Sequence, residues 1–95
     1  MTDASLVTVQ FTRNLARHVA CPAGNYAGAT VFEVLGAYFG DHPAVRHYVL
    51  DVQGGVRQHV TVFVSGSTIV DRTRLTDAVG PGEEIYVMQA LSGGT

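Results

Sequence analysis

The sequence as it stands runs out through Gln89-Ala90-Leu91-Ser92-Gly93-Gly94-Thr95, and this stretch, poor in side chains, is the part best suited to chemistry. With 11 glycines in 95 residues, a Gly-Gly pair at any one place is expected about 1% of the time. Its position matters more than its rarity, because Gly54-Gly55 also occurs and reads as a turn. A glycine tail has no Cβ to obstruct close backbone approach, so its carboxylate can be threaded down a narrow channel into another protein's nucleotide site. At about 3.3–3.6 Å per extended residue, Ser92 to Gly94 reach on the order of 10 Å beyond a folded body. Adenylation there creates a good leaving group, and attack by a sulfur donor leaves a C-terminal thiocarboxylate. The plain alternative is a frayed chain end, which is what most termini are.

The remaining reactive side chains point to little. Cys21 stands beside Pro22 in an apolar context and reads as a small core filler rather than a nucleophile. A single cysteine excludes an internal disulfide and a four-thiolate iron–sulfur site. His18, His42, His47 and His59 have no spacing that sets two imidazoles on one helix face with a third ligand, so no metal site and no cofactor are expected. No Ser, His and Asp grouping suggests hydrolysis. The reading is of a substrate and carrier with no catalytic site of its own.

The elements that must position the tail follow from periodicity. Residues 5–12 alternate, with Val7, Val9 and Phe11 on one side and Leu6, Thr8 and Gln10 on the other, the two-residue period of a half-buried strand. After a polar turn at Arg13-Asn14, residues 17–21 are expected to return as the second strand of a hairpin, stopped by Pro22 and Gly24. Thr30 precedes Val31, Val34, Leu35, Tyr38 and Phe39 at spacings of three and four, with Glu33 placed for a capping box: one main helix. Gly40 is expected to cap it in the left-handed conformation, and Asp41-His42-Pro43 to stop it. Residues 45–52 read equally as a helical turn or an irregular strand.

Alternation returns over residues 57–64, with Val60, Val62 and Val64 opposite His59, Thr61 and Phe63, closed by Ser65-Gly66-Ser67. A short strand over 68–70, a helical turn over 75–79 and a last strand over 84–91 complete the chain, with Ile85, Val87 and Leu91 opposite Tyr86, Met88 and Ala90. The order is a two-layer α+β sandwich with one main helix on one face of a mixed sheet of about five strands. First and last strands side by side in its centre bury Val7, Val9, Ile85 and Val87 against Val34, Leu35 and Phe39.

Bulk properties agree with one domain, residues 1–91, followed by a flexible tail, 92–95. At 95 residues and 46% hydrophobic the chain is too short for two cores and too apolar for disorder. A net charge of −2, spread along the chain, offers no electrostatic footprint for nucleic acid or an anionic membrane. No apolar run approaches the roughly 20 residues of a membrane span, and the first residues lack the charge and apolar core of an export signal, so a cytoplasmic protein is expected. All six basic residues are arginine, leaving the N-terminus as the sole amine.

The run from His59 to Gly94, HVTVFVSGSTIVDRTRLTDAVGPGEEIYVMQALSGG, resembles the C-terminal half of the ThiS/MoaD family of ubiquitin-like sulfur carriers. In that family a strand reading H-V-x-V-F-V-N-G is followed by a turn, then G-D-E-V, a strand and a terminal Gly-Gly. All four pieces stand in order here, and the first strand and the helix extend a looser match over the whole length. Within the family the long turn at Gln53-Gly54-Gly55 is most similar to the carriers of cysteine biosynthesis. The resemblance implies a β-grasp fold, activation by an ATP-dependent adenylating enzyme similar to ubiquitin-activating enzymes, a thiocarboxylate on Gly94 next to Gly93, and delivery to a sulfur-accepting biosynthetic enzyme.

The family docks its sheet face and tail on the activating enzyme, which makes Phe63, Tyr86, Met88 and Leu91 the candidate contacts; exposed apolar residues of no consequence are the alternative. Thr95 departs from the pattern, because the free carboxylate then belongs to it and not to Gly94. Removal by a metalloprotease, as for extended family members, and loss of the activity are the two readings. Three functions stay open: a sulfur carrier, a ubiquitin-like modifier joined to target lysines through Gly94, and a β-grasp interaction module with an inert tail.

Overall fold

A computed structural model describes residues 6–89, so the tail with Leu91, Gly93 and Gly94 lies outside the described residues. The chain order is β1 (Val7–Phe11), α1 (Arg13–Ala16), β2 (Gly24–Tyr26), α2 (Val31–Asp41), α3 (Pro43–Val49), β3 (Val60–Val64), β4 (Ser67–Thr68) and β5 (Glu84–Gln89). The sheet runs β2-β1-β5-β3-β4. β1 and β5 are parallel, with Val9 opposite Ile85 and Phe11 opposite Val87, and the other pairings are antiparallel. A parallel pair needs a long crossover, and the helices between β1 and β5 supply it.

The core lies where the alternation places it. Val7, Val9, Ile85, Val87 and Val62 have no exposed surface, and α2 lays Val31, Val34, Leu35, Tyr38 and Phe39 on them. Full burial of each such side chain is worth about 1.5–3 kcal/mol. Thr30 caps α2 by accepting from the Glu33 N–H at 3.2 Å. The Glu33 carboxylate reaches one residue further back than a capping box requires, accepting from the Ala29 N–H at 2.8 Å. Tyr38 is fully buried, and its hydroxyl donates to the Pro22 carbonyl at 2.8 Å. Burial, with Cys21 and Tyr26 nearby, pushes that hydroxyl well above its usual range. Burial likewise raises the Cys21 thiol, which packs against the core edge.

Several local expectations are corrected. The second strand is Gly24–Tyr26 rather than 17–21, because Arg13–Ala16 forms a helical turn that sinks Leu15 into the core and uses up the chain a hairpin would need. Gly40 is no cap: its φ is not positive, and α2 continues to Asp41. The break falls at His42 (φ −133°, ψ 67°), and Pro43 opens α3 at a first-turn position where its missing N–H costs nothing. Residues 45–52, left open above, are mostly helix, with Val45 and Val49 buried. β3 begins at Val60, not 57, and the short strand is Ser67–Thr68. Ser65 and Gly66, at φ 48° and 91°, make the tight β3–β4 hairpin turn.

No helix forms over 75–79. Leu75 takes a left-handed φ of 56°, with its side chain buried and its carbonyl accepting from the Phe32 N–H at 2.9 Å. Two aspartates hold the preceding loop. Asp77 accepts from the Val70 and Asp71 N–H groups at 2.9 and 2.8 Å. Asp71 accepts from the Thr76 hydroxyl at 2.6 Å and from the Arg74 and Thr73 N–H groups, and these bonds, Thr76 first, hold its carboxyl below the usual range.

Candidate docking face and tail root

The sheet has a helix-covered face and an open one. Phe63, Tyr86 and Met88 all lie on the open face, as the alternation requires. Register brings them together: Gln10 on β1, Tyr86 on β5, Phe63 on β3 and Thr68 on β4 form one row across four strands, and Thr61 faces Met88 in the next. The Phe63 and Tyr86 rings stand 6.4 Å apart at 47°, a cross-strand aromatic pair contributing about 0.5–1.5 kcal/mol. With Gly66 and Glu84 these three residues line a shallow cleft of about 360 Å³. Met88 remains 37% exposed. His59 does not join this face, because it sits in the turn before β3. Among the described residues no group of three or more His, Cys, Asp or Glu side chains is placed to hold a metal ion.

The point where β5 hands over to the tail is braced by residues that the sequence pattern did not single out. Thr12 looks like an N-cap for α1, yet its hydroxyl makes no cap bond and instead accepts from the Gln89 N–H at 3.3 Å. The Thr12 N–H donates to the Val87 carbonyl at 3.0 Å, and the Asn14 amide donates to the Gln89 side-chain oxygen at 3.3 Å. Buried Leu15 anchors this turn. The last described residue of β5 is thus tied to the body from both backbone and side chain, which fixes the origin of whatever follows it. A cap-type residue before a lone buried leucine was the only sequence signal for this brace.

A five-stranded mixed sheet with parallel β1 and β5 at its middle and one long helix across one face decides the architecture. The fold is the ubiquitin-like β-grasp. Small archaeal modifier protein 1 from Haloferax volcanii is similar to this chain at a TM-score of 0.79 and 25% identity, covering 94% of this chain and 99% of its own. The structure of the BexX/CysO complex from Amycolatopsis orientalis gives 0.77 and 21% identity over 93% and 99%. Urm1 from Trypanosoma brucei gives 0.69 and 17% over 99% and 100%. These β-grasp neighbours are ubiquitin-like sulfur-carrier and modifier proteins of the ThiS/MoaD type, the resemblance read from the sequence. No family model and no curated protein matches the chain. Among the described residues no helix of this β-grasp domain is long and apolar enough to cross a membrane.

Proposed function

We propose that this protein is a cytoplasmic sulfur carrier. Thr95 is removed, the freed Gly94 carboxylate attacks the α-phosphate of ATP in an adenylating enzyme, and pyrophosphate leaves. A sulfur donor then displaces AMP from the acyl-adenylate to give the thiocarboxylate, and the sulfur passes to an accepting biosynthetic enzyme. The protein itself is the substrate of these steps and catalyses none of them. The observation that carries the reading is continuity: β5, the central strand that presents Tyr86 and Met88, is the strand whose sequence runs on to Gly93 and Gly94. The docking face and the reactive end therefore follow one another directly along the sequence. The BexX/CysO neighbour, solved as a complex, supports a second protein partner for a carrier of this shape.

A modifier role is the second reading, favoured by the modifier named among the neighbours. Both readings share the adenylation and part at the acceptor. The test is a chain lacking Gly93, Gly94 and Thr95, compared with a chain ending at Gly94, in adenylation by the source organism's activating enzyme. The chain ending at Gly94 is expected to release pyrophosphate and accept sulfide, and the truncated chain to keep its far-UV spectrum and do neither. Equal behaviour of the two chains would refute the proposal.

A further inference from the structure

A second surface lies on the helical layer, away from the sheet face. Along the outer side of α2, Phe32, Gly36 and Gly40 recur every four residues; Phe32 is 64% exposed, and a Cβ built on either glycine meets nothing within 4 Å. This stripe opens a cleft of about 340 Å³ floored by Leu35, Phe39, Leu50 and Leu75. A second cleft of about 370 Å³ continues it past Thr30 and Thr73, sharing Phe32 and Gly54 with the first.

The charge of this groove runs against that of the molecule. The chain carries −2, yet Arg46 lines one cleft, Arg74 lines the other, and among the described residues no carboxylate lines either. Both arginines are exposed. Arg57 and Arg72, by contrast, are spent on the His47 and Arg57 carbonyls at 2.6 Å each. Among the described residues the sheet-face cleft contains Glu84 and no arginine, so the two surfaces differ in sign as well as in place.

From this we infer that the groove docks a short acidic segment of a partner protein, separate from the adenylating enzyme. An aliphatic or aromatic side chain enters over Leu35 and Leu50 beside Phe32, and flanking carboxylates meet Arg46 and Arg74. The missing side chains at Gly36 and Gly40 let the partner backbone approach α2 closely. Such a site holds the protein from behind while its sheet face and tail are engaged elsewhere.

The test is an amide-shift NMR titration of the full chain with the peptide acetyl-Asp-Glu-Leu-Phe-Glu-Asp-amide, and with its Lys-Lys-Leu-Phe-Lys-Lys counterpart. The acidic peptide is expected to shift Gly36, Gly40, Gly54 and Leu75 saturably, and to weaken as salt is raised. Combined Arg46→Glu and Arg74→Glu substitution is expected to weaken it by about tenfold or more. Gly40→Leu, which fills the cleft from an open helix position, is expected to compete with the Leu-Phe pair to a similar degree. Shifts confined to Phe63, Tyr86 and Met88, equal binding of the lysine peptide, indifference to these substitutions, or the same shifts on concentrating the chain alone would overturn the inference.

Discussion

Replacing Met88 with glutamate separates docking from folding. Met88 keeps about a third of its surface in solvent (37%), faces Thr61 across the β3–β5 pair and shares its cleft with Glu84. A partner that covers this face buries the exposed third, worth about 0.5–1 kcal/mol of the roughly 1.5–3 kcal/mol of a full methionine burial. A glutamate there loses that gain and adds an unpaired carboxylate, next to another, to a surface that must be desolvated. That penalty is about 2–4 kcal/mol. The sum, about 2.5 kcal/mol at its low end and about 5 at its high end, predicts at least roughly fiftyfold weaker binding to the adenylating enzyme.

The fold should hardly notice, since an exposed strand position away from the core changes stability by about 0.5–1 kcal/mol. Pyrophosphate exchange with a chain ending at Gly94 reads the first effect as a raised KM, and urea denaturation followed by far-UV circular dichroism reads the second. Met88→Leu serves as the volume-matched control and is expected to behave as the parent. An unchanged KM for Met88→Glu would refute the assignment of this face as the docking surface.

Three further outcomes follow from the packing. Tyr38→Phe leaves the Pro22 carbonyl without its donor and should cost about 1–2 kcal/mol, read as a lowered melting temperature with sulfur loading retained. Gly28→Ala puts a methyl 2.7 Å from the Val34 Cγ2 and 3.0 Å from the Glu33 Cβ, crowding the start of α2; about 1–3 kcal/mol of destabilisation is expected in the same measurement. Asp71 has a folded pKa below its unfolded value, so its contribution is present above the unfolded aspartate range near pH 4 and fades as pH falls through the folded value. Asp71→Ala should therefore be less stable than the parent at neutral pH, and the gap should close in acid; a constant gap across denaturation curves from neutral to acid pH would contradict the loop bonds described.

What the sequence made legible is whatever burial enforces over many residues. β1, β3 and β5 alternate because one side of each faces α2, and α2 repeats at three and four because one stripe faces the sheet. Those patterns also placed Phe63, Tyr86 and Met88 on one face. Short or non-local elements were not legible. Gly24–Tyr26 has a poor strand composition and exists because Tyr26 and Asn25 pair with Val7 and Thr8. α1 has only Leu15 to bury, too little to show a period. Pro43 and Gly40 carry opposite meanings at a helix start and a helix end, and local sequence does not choose between them. Leu75 adopts a conformation that propensity disfavours, and its buried side chain and the bond from Phe32 sustain it there. The tail was legible as a glycine pair and its place in the sequence, whereas of the brace only the cap-type Thr12 ahead of Leu15 left a sequence signal, its bonds to Gln89 being visible only as geometry.

Intact-mass spectrometry of the protein recovered from its own cells under sulfur-demanding growth tests the carrier proposal most directly. The proposal predicts a population that has lost Thr95 and gained the mass of one oxygen replaced by sulfur. A wholly full-length, unmodified population would contradict it.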